Sequence, residues 1–324
     1  VLYKDEGKRF GLGSFKALGG AYAVRRLVSE RLGASMADIR AGQCHEAASA
    51  ITVTTATDGN HGRSVAWGAQ QTGCRCRIYI HAKVSEGRAQ AMAELGAEVV
   101  RISGDYDESV GVCARDSEAN GWLMVSDTSF DGYTAIPRQV MDGYATIAEE
   151  AMTQMPTPIT HVFIPAGCGG LAAALAAQFW IELGAAKPRF VVVESEHAPC
   201  LVRSARRGRR TSVKIRRETG MAGMSCGEVS ILAWEVLRRA ASHFVTIADN
   251  AVAPAMRMLA SGRAGGGGVE AGECAVAAPV ALIAAACDEK ASEAMGLDSQ
   301  SRVLVIGTEG ATDPELYAKM LAGM

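Results

Sequence analysis

Short runs rich in β-branched residues recur along this chain with longer amphipathic stretches between them, and no other feature restricts its fold as much. The runs are "ITVTTA" from Ile51, "CRIYI" from Cys76, "EVVRI" from Glu98, "WLMVSD" from Trp122, "HVFIPA" from His161, "FVVVES" from Phe190, "HFVTI" from His243 and "RVLVIG" from Arg302. Helical periodicity falls between them, over 62–72, 85–95, 106–120, 137–154, 171–183 and 251–261. Strands that alternate with helices predict an α/β fold with parallel strands, because a parallel pair needs a crossover connection. The best candidate boundary is "AMTQMPTPITH" (151–161), where Pro156 and Pro158 stop a helix before a new strand.

With 324 residues the chain suits one large domain or two smaller ones. A net charge of −2 gives no electrostatic case for nucleic acid or an anionic membrane as partner. The longest apolar stretches are interrupted by Gly, Gln or charged residues, so none reads as a membrane span. Nine cysteines, only Cys74 and Cys76 close together, read as reduced thiols of a cytoplasmic protein and supply no metal site. The chain starts at Val1 without a methionine and enters motif-like sequence at once, so a preceding segment is expected. Two further stretches read as loops: the basic run 203–218 as a solvated one, with anion binding as the alternative, and "RAGGGGVEAGE" (263–273) as flexible or lining a site.

Four places carry chemistry. In "GSFKALGGAYAV" (13–24), Lys16 falls on the apolar side of a helix start, and Gly19–Gly20 permit close approach to the backbone. A buried amine must lose its charge or find a partner. In "TATDGNHGR" (55–63) a strand ends, Asp58-Gly59-Asn60 turns and a helix begins, which suits either a capping aspartate or an anion site. In "HVFIPAGCGGLAAALAAQ" (161–178) a strand runs into Gly167-Cys168-Gly169-Gly170 and a helix, a phosphate cradle of backbone N–H groups. The same spacing satisfies the looser dinucleotide pattern G-x-G-x-x-A, with Glu194 where a ribose-binding acid would sit. In "RVLVIGTEGATD" (302–313) the hydroxyl of Thr308 ends a strand, either to tie up a turn or to face a ligand. All four lie at the ends of strands or the starts of helices, where open α/β sheets bind ligands. A buried lysine with a phosphate cradle points to pyridoxal phosphate, whose aldehyde captures the amine as a Schiff base.

The order of "SFK", "GNHG", a glycine loop and a late hydroxyl resembles the fold type II pyridoxal-phosphate enzymes, the tryptophan synthase β-like group. The stretches "YKDEGKRFGLGSFKALGG", "TATDGNHGR", "SDTSFDGYTAIP", "GMAGMSCGE" and "GTEGATDP" resemble the diaminopropionate ammonia-lyases more closely, and the likeness covers nearly the whole chain. The resemblance implies two open twisted sheets flanked by helices with the cofactor in the interdomain cleft. Residues 1–34 and 149–324 would form a large discontinuous domain and 35–148 a small one. It implies that Lys16 holds the cofactor with Phe15 against the ring, and that Asn60 binds the ring hydroxyl. Gly167, Cys168, Gly169, Gly170 and Leu171 would bind the phosphate through backbone N–H groups. Thr308 would face the pyridine nitrogen, and a neutral hydroxyl there suits β-elimination better than transamination. Cys168 stands where relatives carry an aliphatic residue, a change that a backbone cradle tolerates.

The resemblance further implies an ammonia-lyase, a carbon–nitrogen lyase that turns D- and L-2,3-diaminopropionate into pyruvate and ammonia. Lys16 would take the Cα proton of the L-isomer and Asp58 that of the D-isomer, with Asp127 as a supporting acid. A homodimer with a small amino-acid substrate is the implied assembly. The alternatives are a serine/threonine or 3-hydroxyaspartate dehydratase of the same fold, an NAD-dependent dehydrogenase, and a non-catalytic protein that keeps pyridoxal phosphate.

Overall fold

The computed structural model describes residues 1–323. β1 (Leu2–Asp5) is followed by α1 (Lys16–Leu32), α2 (Met36–Arg40), α3 (His45–Ala48), β2 (Thr52–Ala56), α4 (Asn60–Thr72), β3 (Arg75–Ile80), α5 (Glu86–Ala93), β4 (Glu98–Arg101), α6 (Tyr106–Asn120) and β5 (Leu123–Met124). Then come α7 (Ala135–Gln154), β6 (His161–Pro165), α8 (Gly170–Leu183), β7 (Arg189–Ser195), α9 (Cys200–Arg207), α10 (Ile231–Ala240), β8 (Ala241–Ile247), α11 (Val252–Ala260), α12 (Ala277–Ala286), α13 (Glu289–Met295), β9 (Val303–Gly307) and α14 (Pro314–Ala322). Each of the eight runs read as strands forms one. Among the described residues no helix is long and apolar enough to cross a membrane.

The chain divides into two compact units, Val1–Phe15 with everything from Tyr144 onward, and Lys16–Gly143. The sequence reading put residues 1–34 with the larger part and a boundary near 151–161. In the structure α1 belongs with the smaller unit, and the Pro156–Pro158 stretch ends α7 without separating the units. The reason for α1's place is its packing on α4 at contacts only small residues allow. A Cβ on Gly20 would come within 2.3 Å of Ser64 Oγ, and one on Gly68 within 2.7 Å of the Ala21 Cα. The paired glycines after Lys16 thus admit a neighbouring helix.

In the smaller unit the strands run β4-β3-β2-β5, every pair parallel. In the larger unit the order is β1-β9-β6-β7-β8, again all parallel. β6 is buried throughout and β7 in all but its first residue, the uninterrupted apolar pattern of a sheet covered on both faces. Phe163, Val191 and Val193 pack in one cluster with Met256, Val276 and Ala281. Each large apolar side chain buried this way contributes roughly 1.5–3 kcal/mol.

β1 is the strand that the pattern missed. Its four residues include Lys4 and Asp5, so it shows no apolar run. Its place beside β9 is accompanied by a cluster of charges: Arg9 donates to Glu6 Oε2 at 2.7 Å and to Glu150 Oε2 at 2.6 Å, and Lys4 donates to Glu150 at 2.5 Å. Arg9 and Lys4 hold the Glu150 carboxyl down at about 2, a hydrogen bond from Arg9 being the largest cause. Glu150 lies far along the chain, which is why nothing local announces this strand.

Candidate active site

The smaller unit sets a lysine against an aspartate. Lys16 opens α1, and Ser64 on α4 pins that first turn: its hydroxyl donates to the Lys16 carbonyl at 2.6 Å and accepts the Ala21 N–H at 3.0 Å. The Lys16 side chain is mostly buried, and its ammonium donates to Asp127 Oδ2. Asp127 follows β5, on a segment anchored by Tyr133, whose hydroxyl donates to the Met124 carbonyl at 2.6 Å and accepts the Ser126 N–H at 3.1 Å.

His61, in the first turn of α4, completes this group. Its Nε2 lies 2.8 Å from the Val125 carbonyl, so that nitrogen carries the proton. Its Nδ1 is buried, has no hydrogen-bond partner and lies 3.8 Å from Asp127 Oδ2. Burial would raise the Asp127 carboxyl, but the Lys16 ammonium outweighs it and holds the group well below the usual carboxylate range. Burial pushes the imidazole of His61 down, which keeps it neutral. The sequence reading gave Asp127 a supporting role and did not single out His61 or Ser64. Nothing local reveals them, since each meets Lys16 or Asp127 across more than forty residues.

The turn before α4 answers the question of the cap. Thr57 Oγ1 accepts the Gly59 N–H at 3.0 Å and the Gly62 N–H at 3.1 Å, so Thr57 does the capping considered for Asp58. Asp58 instead lies with Oδ1 2.9 Å from Nε2 of His81, a residue absent from the sequence reading. The sequence carried no signal for it, because only the folded register, in which Ala56 pairs with Tyr79, brings the two loops together. Asn60 is the first residue of α4.

In the larger unit, β6 leads through Ala166 into Gly167-Cys168-Gly169 and α8 begins at Gly170. The opening N–H groups of a helix have no intrahelical acceptor and attract an anion. Two glycines have structural reasons. Gly169 has φ 96°, the left-handed region, and a Cβ on Gly167 would come within 3.0 Å of the Gly223 carbonyl and 3.1 Å of Cys226 Sγ. The segment "GMAGMSCGE" therefore backs the loop directly.

Thr308 follows β9 in the same unit. Its carbonyl accepts the Phe15 N–H at 3.0 Å, while the Gly310 N–H donates to the Gly13 carbonyl at 2.9 Å. The chain just before Lys16 is thereby strapped to the end of β9. Thr308 Oγ1 is buried without a hydrogen-bond partner, so it ties up no turn. Phe15 packs its ring edge-on against Tyr144, centroids 4.9 Å apart.

These features fit pyridoxal phosphate. Taken unit by unit, the larger one offers an orphaned buried hydroxyl of the kind that suits a ring nitrogen and a glycine cradle that suits a phosphate, and the smaller one offers in Lys16 an amine that an aldehyde can capture. A dinucleotide does not fit the acid assigned to its ribose. Both Glu194 oxygens accept N–H groups of α9, from Leu201 at 2.8 Å and Val202 at 2.7 Å, and burial raises this carboxyl to about 7. That glutamate anchors a helix.

Comparison with known proteins agrees. The family model described as "Pyridoxal-phosphate dependent enzyme" matches residues 1–309. The diaminopropionate ammonia-lyase of Escherichia coli (strain K12) is 36% identical, over 99% of this chain and 82% of its own length. That of Salmonella typhimurium is 35% identical, over 98% and 82%. Crystal structures of the Escherichia coli enzyme, with D-serine and with an aminoacrylate-PLP azomethine reaction intermediate, superpose with TM-scores of 0.90 and 0.89 at 35% identity, covering 98% of this chain and 82% of theirs.

Proposed function

The chain belongs to the pyridoxal-phosphate dependent enzyme family and within it to the diaminopropionate ammonia-lyases, and from this premise we propose how its residues divide the reaction. The protein is a pyridoxal-phosphate-dependent carbon–nitrogen lyase that converts D- and L-2,3-diaminopropionate to pyruvate and ammonia. Over the whole reaction one water is consumed and two ammonia molecules leave for each pyruvate formed.

The residues that would hold the cofactor are Lys16, Phe15, Asn60, the N–H groups of Gly167 to Leu171, and Thr308. When bound, the cofactor withdraws the electron pair left by the broken Cα–H bond. Lys16 Nζ takes the proton of the L-isomer, and the Asp58 carboxylate takes that of the D-isomer. The electron pair then makes the Cα–Cβ bond a double bond as the Cβ–N bond breaks and the β-amino group departs as ammonia. Water hydrolyses the released 2-aminoacrylate to pyruvate and the second ammonia. Asp127 steadies the Lys16 ammonium that exists once the freed amine has taken the proton, with neutral His61 on its other side.

The observation that carries this reading is Thr308: an orphaned buried hydroxyl whose own carbonyl holds the residue before Lys16. A neutral partner of this kind leaves a ring nitrogen unprotonated, which favours elimination over transamination. The test is keto-acid release by the purified protein with D- and L-diaminopropionate, serine and threonine. Diaminopropionate should exceed serine and threonine by at least about tenfold in kcat/KM, the discrimination one well-placed polar contact supplies. Equal rates with serine would contradict the substrate assignment.

We assign a homodimer in the cytoplasm. Trp180 and Ile181 on α8 are exposed, as interface residues are in a lone chain, and none of the nine cysteines forms a disulfide, which suits a reducing compartment. Light scattering on the purified protein should return twice the chain mass.

A further inference from the structure

The basic run that begins on α9 carries a charge that the rest of the fold leaves unanswered. Between Arg203 and Arg217 stand seven arginines and Lys214, with no acidic residue among them. Without these eight cations, 25 basic residues face 35 acidic ones, so the net charge of −2 divides into +8 here and −10 elsewhere. All eight are exposed, and among the described residues none joins an ion pair or donates a side-chain hydrogen bond. Nearby acids are engaged otherwise. Glu218 accepts the Ser225 hydroxyl at 2.6 Å, Glu228 accepts that of Ser212 at 3.5 Å, and Glu235 accepts Arg238 at 2.8 Å, with Arg210 acting on it only at longer range.

These charges sit on a backbone that is held in place. Arg206 and Arg207 lie three and four residues beyond Arg203 on α9, so the three share a face. Ser204, buried on the same helix, catches the chain that follows: its carbonyl accepts the Arg209 N–H at 3.2 Å and its hydroxyl the Thr211 N–H at 2.9 Å. The Val213 N–H then donates to the Gly227 carbonyl at 2.8 Å. Exposure alternates along this stretch. Thr211, Val213 and Ile215 are partly covered, whereas Arg210, Ser212, Lys214 and Arg216 are open. Alternate residues of an extended chain share a side at intervals of about 6.6 Å, so the segment presents a row of cations. A row already fixed by backbone hydrogen bonds needs little further ordering to bind a ligand.

We propose that residues 203–217 form a docking surface for inorganic polyphosphate, an unbranched chain of phosphates. The predominance of arginine suits phosphate, whose oxygens match the paired N–H groups of a guanidinium. The run contains no aromatic residue on which a base could stack, so a polyanion with bases gains nothing from them here. None of its apolar residues is exposed, which leaves no wedge for a bilayer and no apolar centre for a protein partner. The acidic remainder of the chain repels any broad anionic surface and admits a slender one. Consecutive phosphates of polyphosphate share a bridging oxygen, so several come within reach of each cation in the row.

The experiment titrates the holoenzyme with medium-chain polyphosphate by calorimetry over a range of salt concentrations. It is repeated with poly(U) and with vesicles containing phosphatidylserine, each at the same total charge. The parent should bind polyphosphate with an affinity that falls steeply with salt, and at least about tenfold more tightly than either alternative. A variant carrying Arg209→Gln, Arg210→Gln, Lys214→Gln and Arg216→Gln should lose at least about tenfold in affinity. Its salt slope should be shallower by about 3, roughly 0.7 for each phosphate contact removed. The variant should keep the cofactor chromophore and its turnover, since none of the four side chains has a hydrogen-bond or ion-pair partner. No binding by the parent, or equal binding by the variant, would overturn the proposal. Poly(U) or vesicles bound as tightly as polyphosphate would overturn the choice of partner, in favour of single-stranded nucleic acid or a membrane surface.

Discussion

Two aspartates in the smaller unit use the same functional group in opposite settings. Asp127 is mostly buried against the Lys16 ammonium, with the bare nitrogen of His61 at 3.8 Å. Asp58 is over a third exposed, with His81 Nε2 2.9 Å from its Oδ1. In the first pair the carboxylate serves the amine, fixing where Lys16 rests. In the second the carboxylate is, on the reading above, the working group itself. A buried acid locked to a cation is a poor proton acceptor, whereas a more exposed one stays open to substrate.

The largest test of this contrast removes what both isomers share. Lys16→Ala should cost at least about a thousandfold in kcat/KM with either isomer, since it deletes the cofactor's anchor and one base together. Next comes Asp58→Asn, which should lower the D-isomer by about a hundredfold or more and leave the L-isomer within about threefold, measured as pyruvate release. A loss shared equally would erase the distinction between the two acids.

Asp127→Asn sharpens it from the stability side. The folded protein depresses the Asp127 carboxyl, so its stabilising contribution is complete above the ordinary carboxylate range and vanishes as pH falls through the lower folded value. Urea unfolding of the cofactor-free protein at neutral pH should show a loss of about 2 kcal/mol, as for a hydrogen bond to a charged group. The gap between variant and parent should close as the pH drops below about 4. Smallest is Ser64→Ala, which leaves the Ala21 N–H and the Lys16 carbonyl without their bridge and should cost about 1 kcal/mol.

How much of this was legible follows from where each signal lies along the chain. β6, β7 and β9 announced themselves because parallel strands buried on both faces are near-continuously apolar, as in "FVVV", and the other five through their short β-branched runs. β1 did not, because two of its four residues are charged and its ion-pair partner Glu150 is remote. Lys16, Asp58 and the glycine loop stood out as residue types out of keeping with their local pattern. His61, Ser64 and His81 did not, since a histidine or serine on a helix or at a strand end looks ordinary until its partner is known. Only the β2–β3 register links Asp58 to His81, and register is a property of the folded sheet. Glu194 shows the converse: a residue in a suggestive place that the fold uses to hold the start of α9.

The central claim is that Lys16 is the amine that binds pyridoxal phosphate, and borohydride reduction of the holoenzyme followed by peptide mapping tests it most directly. The phosphopyridoxyl group should be found on the peptide carrying Lys16, and Lys16→Ala protein should take up none. Label on any other lysine of the chain, with Lys16 unmodified, would contradict the account.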